Sequence, residues 1–300
     1  MLLKTITLLQ NKELGLTMTN NKDINIIASE SALGKKSLYI SKYDSSLLYA
    51  ISRKEKREEL GINHIILPFY GFDSWNHYEV SWLNNKGKPC VAIAHIIYDC
   101  SSPKIIESKS FKLYFNSFNN TKFESATVLE NIIKKDVEQY IKAHVFIKIE
   151  PLTSDKLPLM QNTFSGESID SLDIECSTYD LEPSFLTISD EIITETLCSD
   201  LLKSNCLITY QPDWGSIQIS YSGNKINREG LLKYLVSFRN HNEFHEQCIE
   251  RIFMDILRHC KPTKLTVYGR YTRRGGLDIN PYRSTEKTSF ADENIRLSRQ

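Results

Sequence analysis

The feature that most constrains the fold is an order of sequence patterns that recurs in the two halves of the chain. In the first half, an alternating segment at 78–83, a polar turn and a β-rich run at 90–98 predict a hairpin. Apolar residues at helical spacing follow at 113–118 and at 128–141, and a strand-like run occupies 145–149. This half is therefore predicted to contain two strands, two helices and a further strand.

The second half contains the same kinds of segment in the same order. They are a strand at 192–197, a loop at 212–215, a strand at 217–221, helical stripes at 231–236 and 248–257, and a strand at 265–268. A short echo, Ser-Phe-Asn-Asn at 117–120 and Ser-Phe-Arg-Asn at 237–240, supports a duplication. Each half is thus predicted to be an α+β unit, an antiparallel sheet with two helices.

The domain organisation follows from this repeat and from a polar stretch between its copies. The chain has 300 residues, of which 41% are hydrophobic, and is long enough to form two cores. Pro151, Pro158 and Gly166 mark a connection. We expect an N-terminal extension at 1–30, a first module at 31–150, a connection at 151–183 and a second module at 184–300.

The charge balance and the cysteines indicate the class of protein. Lys and Arg together number 37, as do Asp and Glu, whereas a nucleic-acid binder normally carries a cationic surplus. No stretch approaches the roughly 20 apolar residues that span a bilayer. The 7 cysteines include no C-x-x-C pair. We therefore expect a cytoplasmic protein with reduced thiols that binds neither a membrane nor, directly, a nucleic acid.

The arginines near residue 273 are candidates for binding a nucleotide cofactor. Neither G-x-G-x-x-G nor a P-loop motif occurs in the sequence, so cofactor phosphates would have to contact side chains. Arg270, Arg273 and Arg274 stand beside Gly275 and Gly276, whose backbone is conformationally permissive. A solvated arginine patch is the alternative interpretation.

Cys206 is the candidate nucleophile. It follows a strand-like run, and Asp213 comes seven residues later in a Pro-Asp-Trp-Gly segment. A thiol must lose its proton to attack, and a nearby acid or base can manage that proton. A buried structural thiol is the alternative interpretation.

A second cluster surrounds His245 and allows two kinds of chemistry. His241, His245 and Cys248 have spacings of four and three, so on one helix they would share a face and could bind Zn²⁺. A helix that begins only near residue 242 would spoil that geometry. Alternatively, the aromatic ring of Phe244, the imidazole of His245 and the carboxylate of Glu246 could together hold a planar heterocycle with N–H donors.

The segment at 107–112 is a third candidate, between a predicted strand and a predicted helix. Its sequence is Glu-Ser-Lys-Ser-Phe-Lys. The carboxylate of Glu107 can accept two N–H bonds from a ring edge, and Lys109 can meet a phosphate. The alternative is an ordinary helix start, with Ser108 or Ser110 as the cap and Lys109 and Lys112 solvated.

Together these segments resemble one family of enzymes. The matching segments are 107–112, 204–206, 212–216, 244–248 and 271–281. In this order they closely resemble the NADPH-dependent 7-cyano-7-deazaguanine reductases in their long, bimodular form. The resemblance extends from about residue 33 to the end and is strongest over 201–283.

The resemblance implies a fold and a reaction. The fold would be two tandem tunnelling-fold (T-fold) modules, which pack with those of a second subunit into a barrel-like homodimer with sites between modules. The reaction would be reduction of the nitrile of a free deazapurine base to an amine, with two NADPH per substrate, in queuosine biosynthesis. The family uses no metal. A zinc-dependent cyclohydrolase or pterin enzyme of similar fold, and a non-catalytic nucleobase-binding module, are the alternatives.

The resemblance also implies roles for individual residues. Cys206 would form a covalent thioimide with the nitrile carbon, Asp213 would protonate the nitrogen, and His245 would handle a second proton. The implied substrate-binding residues are Ile106, Glu107, Ser108, Phe244, His245 and Glu246. The implied NADPH-binding residues are Ser108, Lys109, Arg273, Arg274 and Gly275.

Overall fold

The main architectural feature of the protein is one large sheet with helices packed against it. The computed structural model describes residues 39–62, 66–158, 160–288 and 295–300. The extension expected at 1–30 lies outside these ranges. The strands are, in chain order, β1 (Ala50–Ser52), β2 (Tyr70–Leu83), β3 (Pro89–Asp99), β4 (Lys104–Ile106), β5 (Val145–Pro151), β6 (Met160–Gln161), β7 (Glu167–Ser168), β8 (Ile188–Asn205), β9 (Pro212–Ile226), β10 (Lys264–Tyr271), β11 (Leu277–Ser284) and β12 (Arg296–Leu297). The α-helices are α1 (Lys54–Glu59), α2 (Ser108–Asn116), α3 (Ala126–Ile141), α4 (Arg228–Val236) and α5 (His245–Cys260).

The large sheet joins the two halves of the chain. Its strand order is β5-β3-β2-β11-β10-β9-β8-β7, and only the short β7 runs parallel to its neighbour. β2 of the first half pairs with β11 of the second, from His77 opposite Leu277 to Tyr70 opposite Ser284. The prediction of an α+β protein with an antiparallel sheet is confirmed, and a single sheet serves both halves.

The predicted elements lie where the sequence patterns placed them, with one exception. β2 and β3 form the predicted hairpin. The loop predicted at 212–215 is wrong, because β9 begins at Pro212 and Asp213 pairs in register with Ser204 of β8. A proline is tolerated as the first residue of a strand. The connection between β8 and β9 therefore lies at 206–211, and a strand fixes the position of Asp213.

Each half contributes most of one apolar core, and the two cores share an arrangement of side chains. The Tyr114 hydroxyl of α2 donates to Asp136 of α3 at 2.6 Å, and the Tyr234 hydroxyl of α4 donates to Asp255 of α5 at 2.7 Å. In both halves the serine that follows the shorter helix donates back to the tyrosine carbonyl at 2.6 Å. The sequence echo thus corresponds to a repeated helix pair.

Within the described ranges no helix is both long and apolar enough to cross a bilayer.

A buried ionic cluster crosses the seam between β2 and β11. Arg283 of β11 contacts Asp73 of β2 at 2.9 Å and Glu250 of α5 at 2.9 Å. Glu250 also accepts from Arg57 at 2.6 Å, and Arg53 pairs with Asp73. All five side chains are almost completely buried. Three cations and two carboxylates therefore connect α1, β2, β11 and α5 in a region from which water is excluded.

Removing one carboxylate from this cluster should destabilise the protein strongly. Glu250→Gln leaves three buried guanidinium groups facing the carboxylate of Asp73, which should lower the free energy of unfolding by about 3–5 kcal/mol. Urea unfolding at pH 7 measures the change. The control is Glu286→Gln, which removes one partner of an exposed pair with Lys264 and should cost less than about 1 kcal/mol. Equal losses in the two variants would contradict a structural role for the cluster.

Candidate active site

Cys206 lies at the start of the tight connection between β8 and β9. Its N–H donates to the Gln211 carbonyl at 2.8 Å, and its own carbonyl accepts from the Tyr210 N–H at 3.0 Å. Tyr210 adopts φ +56°, a left-handed conformation that is unusual for a residue with a side chain. The Cys206 residue is 7% exposed. The loop therefore fixes the main chain at Cys206, and the residue is buried with a small exposed fraction.

Asp213 faces two basic side chains from other elements. Arg274, in the turn between β10 and β11, contacts its Oδ1 at 2.9 Å, and Nε2 of His245 lies 3.7 Å from the same oxygen. Arg274 also donates to Gln211 in the Cys206 loop at 3.0 Å. The structure thus brings Asp213, His245 and Arg274 together beside the connection that carries Cys206.

His245 is the first residue of α5, and its surroundings favour the neutral imidazole. Its ring packs edge-on against Tyr271 with centroids 4.2 Å apart. Burial lowers the pKa of His245 to about 4; Asp213 opposes this shift, whereas the cations Arg274 and Lys112 add to it. At neutral pH the imidazole therefore carries one proton, and its two nitrogens can accept and donate.

Glu107 caps helix α2 with its side chain. Its carboxylate accepts from the N–H groups of Lys109 at 2.7 Å and Ser110 at 2.8 Å. The alternative in which Ser108 or Ser110 is the cap is therefore wrong. A carboxylate satisfies two of the unpaired N–H groups of the first turn and meets the positive end of the helix dipole. Glu107 is buried, and burial raises its pKa.

Lys112 packs against the turn that contains Gly275, which its place in the segment 107–112 does not predict. It lies one turn after Ser108 on α2, and its ammonium interacts electrostatically with Glu107 of the first half and with Asp213 and Cys206 of the second. Burial, followed by the nearby Arg274, lowers its pKa. Its expected position as a solvated lysine is wrong, because α2 packs against the turn that contains Gly275.

Glu246 and Phe244 lie at the seam between the halves. Phe244 immediately precedes α5, and its ring packs against the core of the first half. Glu246 is 1% exposed, and its Oε1 has no hydrogen-bond partner within the described part of the chain. Burial and the nearby Asp73 carboxylate raise the pKa of Glu246 to about 8. A buried carboxyl group with an unused oxygen can serve a ligand that brings N–H donors.

The zinc arrangement of His241, His245 and Cys248 is wrong. Helix α5 begins at His245, so His241 lies outside it and contacts Glu243 at 2.9 Å instead. Cys248 is fully buried in the core of the second half. Among the residues that the structure describes, no group of three His, Cys, Asp or Glu side chains is placed to hold a metal ion.

The predicted phosphate-binding residues divide into an exposed set and a buried one. Arg273 is exposed, Arg274 is partly exposed, and both lie in the turn where Gly275 adopts φ +60°. Ser108 and Lys109 are partly buried in the first turn of α2. Arg270 does not belong to this patch, because it is 1% exposed and donates to the side chain of Gln300 at 2.6 Å.

Comparisons with known proteins agree on one family. A family model described as nitrile reductase, 7-cyano-7-deazaguanine-reductase N-term, matches residues 39–149, and one described as QueF-like protein matches 212–289. A Legionella pneumophila protein named NADPH-dependent 7-cyano-7-deazaguanine reductase is 58% identical over 93% of this chain and 100% of its own length. Proteins of the same name from Polaromonas sp. and Hydrogenovibrio crunogenus are 54% and 52% identical, over 90% and 91% of this chain and 98% of their own lengths.

The raised pKa of Glu246 should appear in the pH dependence of stability. A glutamate in an unfolded chain ionises near pH ~4.3, so between that pH and about 8 the unfolded state releases a proton that the folded state retains. Glu246 therefore contributes a loss of stability to the wild-type protein as the pH rises over this range. Glu246→Gln has no such proton, so its melting temperature relative to wild type should increase steadily from pH 5 to pH 8. A difference that is the same at all pH values would contradict the shift.

Proposed function

The chain belongs to the NADPH-dependent 7-cyano-7-deazaguanine reductases, and we propose that Cys206, Asp213 and His245 carry out the reduction in it. As an oxidoreductase of this family, it converts the nitrile of 7-cyano-7-deazaguanine into an aminomethyl group in queuosine biosynthesis, with NADPH as the reductant. The observation that carries the residue assignment is the position of Asp213, whose carboxylate lies 2.9 Å from Arg274 and 3.7 Å from His245. Arg274 also donates to Gln211 in the loop that begins at Cys206, so a carboxylate, an imidazole and a guanidinium lie beside the connection that carries the thiol.

Cys206 activates the nitrile. A nitrile carbon accepts hydride poorly, and addition of the sulfur turns it into a more reactive thioimide carbon. Asp213 takes the thiol proton and delivers it to the nitrile nitrogen as the carbon–sulfur bond forms, so atoms and charge balance. The Lys112 ammonium stabilises the thiolate during this step. Arg274, 2.9 Å from Asp213, holds the carboxylate in place.

His245 handles the proton of the second reduction. Its neutral imidazole can accept a proton at one nitrogen and donate from the other, and its distance of 3.7 Å from Asp213 allows the two groups to exchange protons through small movements. The edge-on contact with Tyr271 fixes the plane of the ring. The imidazole is therefore oriented toward the carboxylate before any substrate binds.

Glu246 and Glu107 recognise the guanine-like edge of the base. Carboxylates accept pairs of N–H bonds, and the unused Oε1 of Glu246 supplies such an acceptor. Phe244 stacks on the planar ring. Ile106 and Ser108, the neighbours of Glu107 in the sequence, contact the base. Burial keeps the Glu246 carboxyl group protonated near neutral pH. This proton leaves when the N–H donors of the base bind to the carboxylate.

The residues of the β10–β11 turn and of the first turn of α2 fit NADPH. Arg273 and Arg274 present guanidinium groups, Lys109 adds an ammonium, and Gly275 has no side chain to obstruct a phosphate. Ser108 completes this set. When bound there, NADPH would supply hydride, and two equivalents would be needed to take a nitrile to an amine.

We also propose that each half is one T-fold module, with bounds at 31–150 and 184–300, and that two copies of the chain form a barrel-like dimer. The repeated Tyr–Asp bond between the helices supports the modules. Among the described residues, β5 ends one side of the sheet and the two residues of β7 alone pair with β8 on the other side. Both β5 and β8 expose apolar side chains such as Phe146 and Ile192. A second copy would cover these edges.

The balanced charge favours a free base over tRNA as the partner, and the reduced thiols favour the cytoplasm.

Loss of the Cys206 thiol should abolish both the covalent adduct and turnover. Wild-type protein mixed with 7-cyano-7-deazaguanine in the absence of NADPH should gain the mass of one substrate by intact-protein mass spectrometry. Cys206→Ala should show no adduct and a rate at least ~10³-fold lower, because no other nucleophile takes its place. The control is Cys90→Ala, which removes a partly exposed thiol distant in sequence from Cys206. This variant should form the adduct as the wild type does. An adduct in Cys206→Ala would overturn the assignment.

A further inference from the structure

The last six residues pack against the strands that carry the cofactor turn. β12 pairs in parallel with β6, and the Gln300 side chain beyond it is 4% exposed. Arg270 of β10 donates to Gln300 Oε1 at 2.6 Å, and Gln300 Nε2 donates to Asn280 of β11 at 2.7 Å and to the Tyr271 carbonyl at 3.2 Å. One buried amide therefore fixes the segment 295–300 to both β10 and β11.

This attachment places Arg296 next to a predicted cofactor residue. The guanidinium carbon of Arg296 lies 4.9 Å from the ring centre of Tyr78, and that of Arg273 lies 5.0 Å from the same centre. The ring itself is rigidly held, since its hydroxyl donates to Asp278 at 2.6 Å and the Tyr78 N–H donates to Gly276 at 2.8 Å. Two cations from distant parts of the sequence thus share one aromatic ring beside the β10–β11 turn.

Neither of these two arginines is paired with an acidic side chain. Within the described ranges, no Asp or Glu forms an ion pair with Arg273 or Arg296; Arg296 donates through Nε and Nη2 to the main-chain oxygen of Gln300 at 3.4 and 3.1 Å, whereas Arg273 is exposed. The carboxylate of Asp278 is already used by Tyr78 and two asparagines. Cation–π contacts attract each guanidinium to the ring, but the two like charges repel one another. An anionic ligand would relieve that repulsion.

The spacing indicates what kind of anion fits. Because each guanidinium carbon lies about 5 Å from the same ring centre, the two carbons are at most about 10 Å apart. Arg274, in the same turn, contacts Asp213 and Gln211 as well, and its side chain is 35% exposed. A ligand with more than one phosphate group can therefore contact both Arg273 and Arg296.

We propose that Arg296 is a further cofactor-binding residue, which together with Arg273 binds the phosphate groups of NADPH, and that Gln300 is the positioning residue that holds it there. This inference rests on the proposed function, since it takes NADPH as the ligand of the turn. It assigns to the segment 295–300 a part in cofactor affinity and leaves the chemistry at Cys206 unchanged.

The variant Arg296→Gln tests the proposal. Removal of one charge-assisted contact to phosphate should raise the KM for NADPH and the Kd for 2′,5′-ADP about 10- to 100-fold. The rate at saturating NADPH and the mass of the covalent adduct formed without NADPH should not change. Arg296→Lys keeps the charge and should recover part of the affinity. The control is Arg228→Gln, which removes an arginine paired with Glu167 and Glu195 and should leave both constants unchanged.

The outcomes separate this proposal from its premise. Wild-type values of KM and Kd in Arg296→Gln would overturn the assignment of Arg296. A purely structural role would lower the melting temperature and reduce adduct formation along with cofactor affinity, which would also overturn it. Absence of an adduct in the wild-type protein would refute the proposed function itself, and it would do so before any arginine variant is measured.

Discussion

The pairing of β2 with β11 is the constraint on which the rest of the structure depends. These strands come from opposite halves of the chain, and their register from Tyr70 opposite Ser284 to His77 opposite Leu277 fixes one half relative to the other. The buried charges of Arg283, Asp73 and Glu250 cross the same seam, so a shift in register would separate cations from carboxylates that water cannot reach. Both main-chain and side-chain bonds therefore specify a single arrangement.

The site exists because of this seam. Helix α2 brings Lys112 and Glu107 from the first half, and the start of α5 and the β8–β9 connection bring His245 and Cys206 from the second. Burial then acts on each group according to its charge. It lowers the pKa of the imidazole and raises that of the Glu246 carboxyl, so both groups favour their neutral forms near neutral pH. A total charge of zero conceals this local distribution of charge.

The sequence predicted the elements better than it predicted contacts between them. Alternation and helical spacing located the β2–β3 hairpin and the long helices, because those signals are local. Pro212 misled the prediction of a loop, since a proline can also begin a strand. Arg270 was grouped with Arg273, but its partner Gln300 lies 30 residues away along the chain. The packing of Lys112 was missed for the same reason, because spacing along one helix does not show which surfaces meet. The capping role of Glu107 is local, and it was missed because the neighbouring serines belong to the residue types that cap helices most often. The site residues came from a family resemblance, to which the structure adds distances, burial and charge.

The central claim is that this chain reduces a nitrile completely to an amine. A nitrile and a primary amine differ by four electrons, and each hydride transfers two, so the reaction requires two equivalents of reductant. The most direct measurement uses purified protein, a limiting amount of 7-cyano-7-deazaguanine and excess NADPH, with the loss of reduced-nicotinamide absorbance compared with the amount of product identified by mass. The account predicts two NADPH oxidised for each 7-aminomethyl-7-deazaguanine formed. Binding of the base without oxidation of NADPH, or oxidation of a single equivalent, would contradict it.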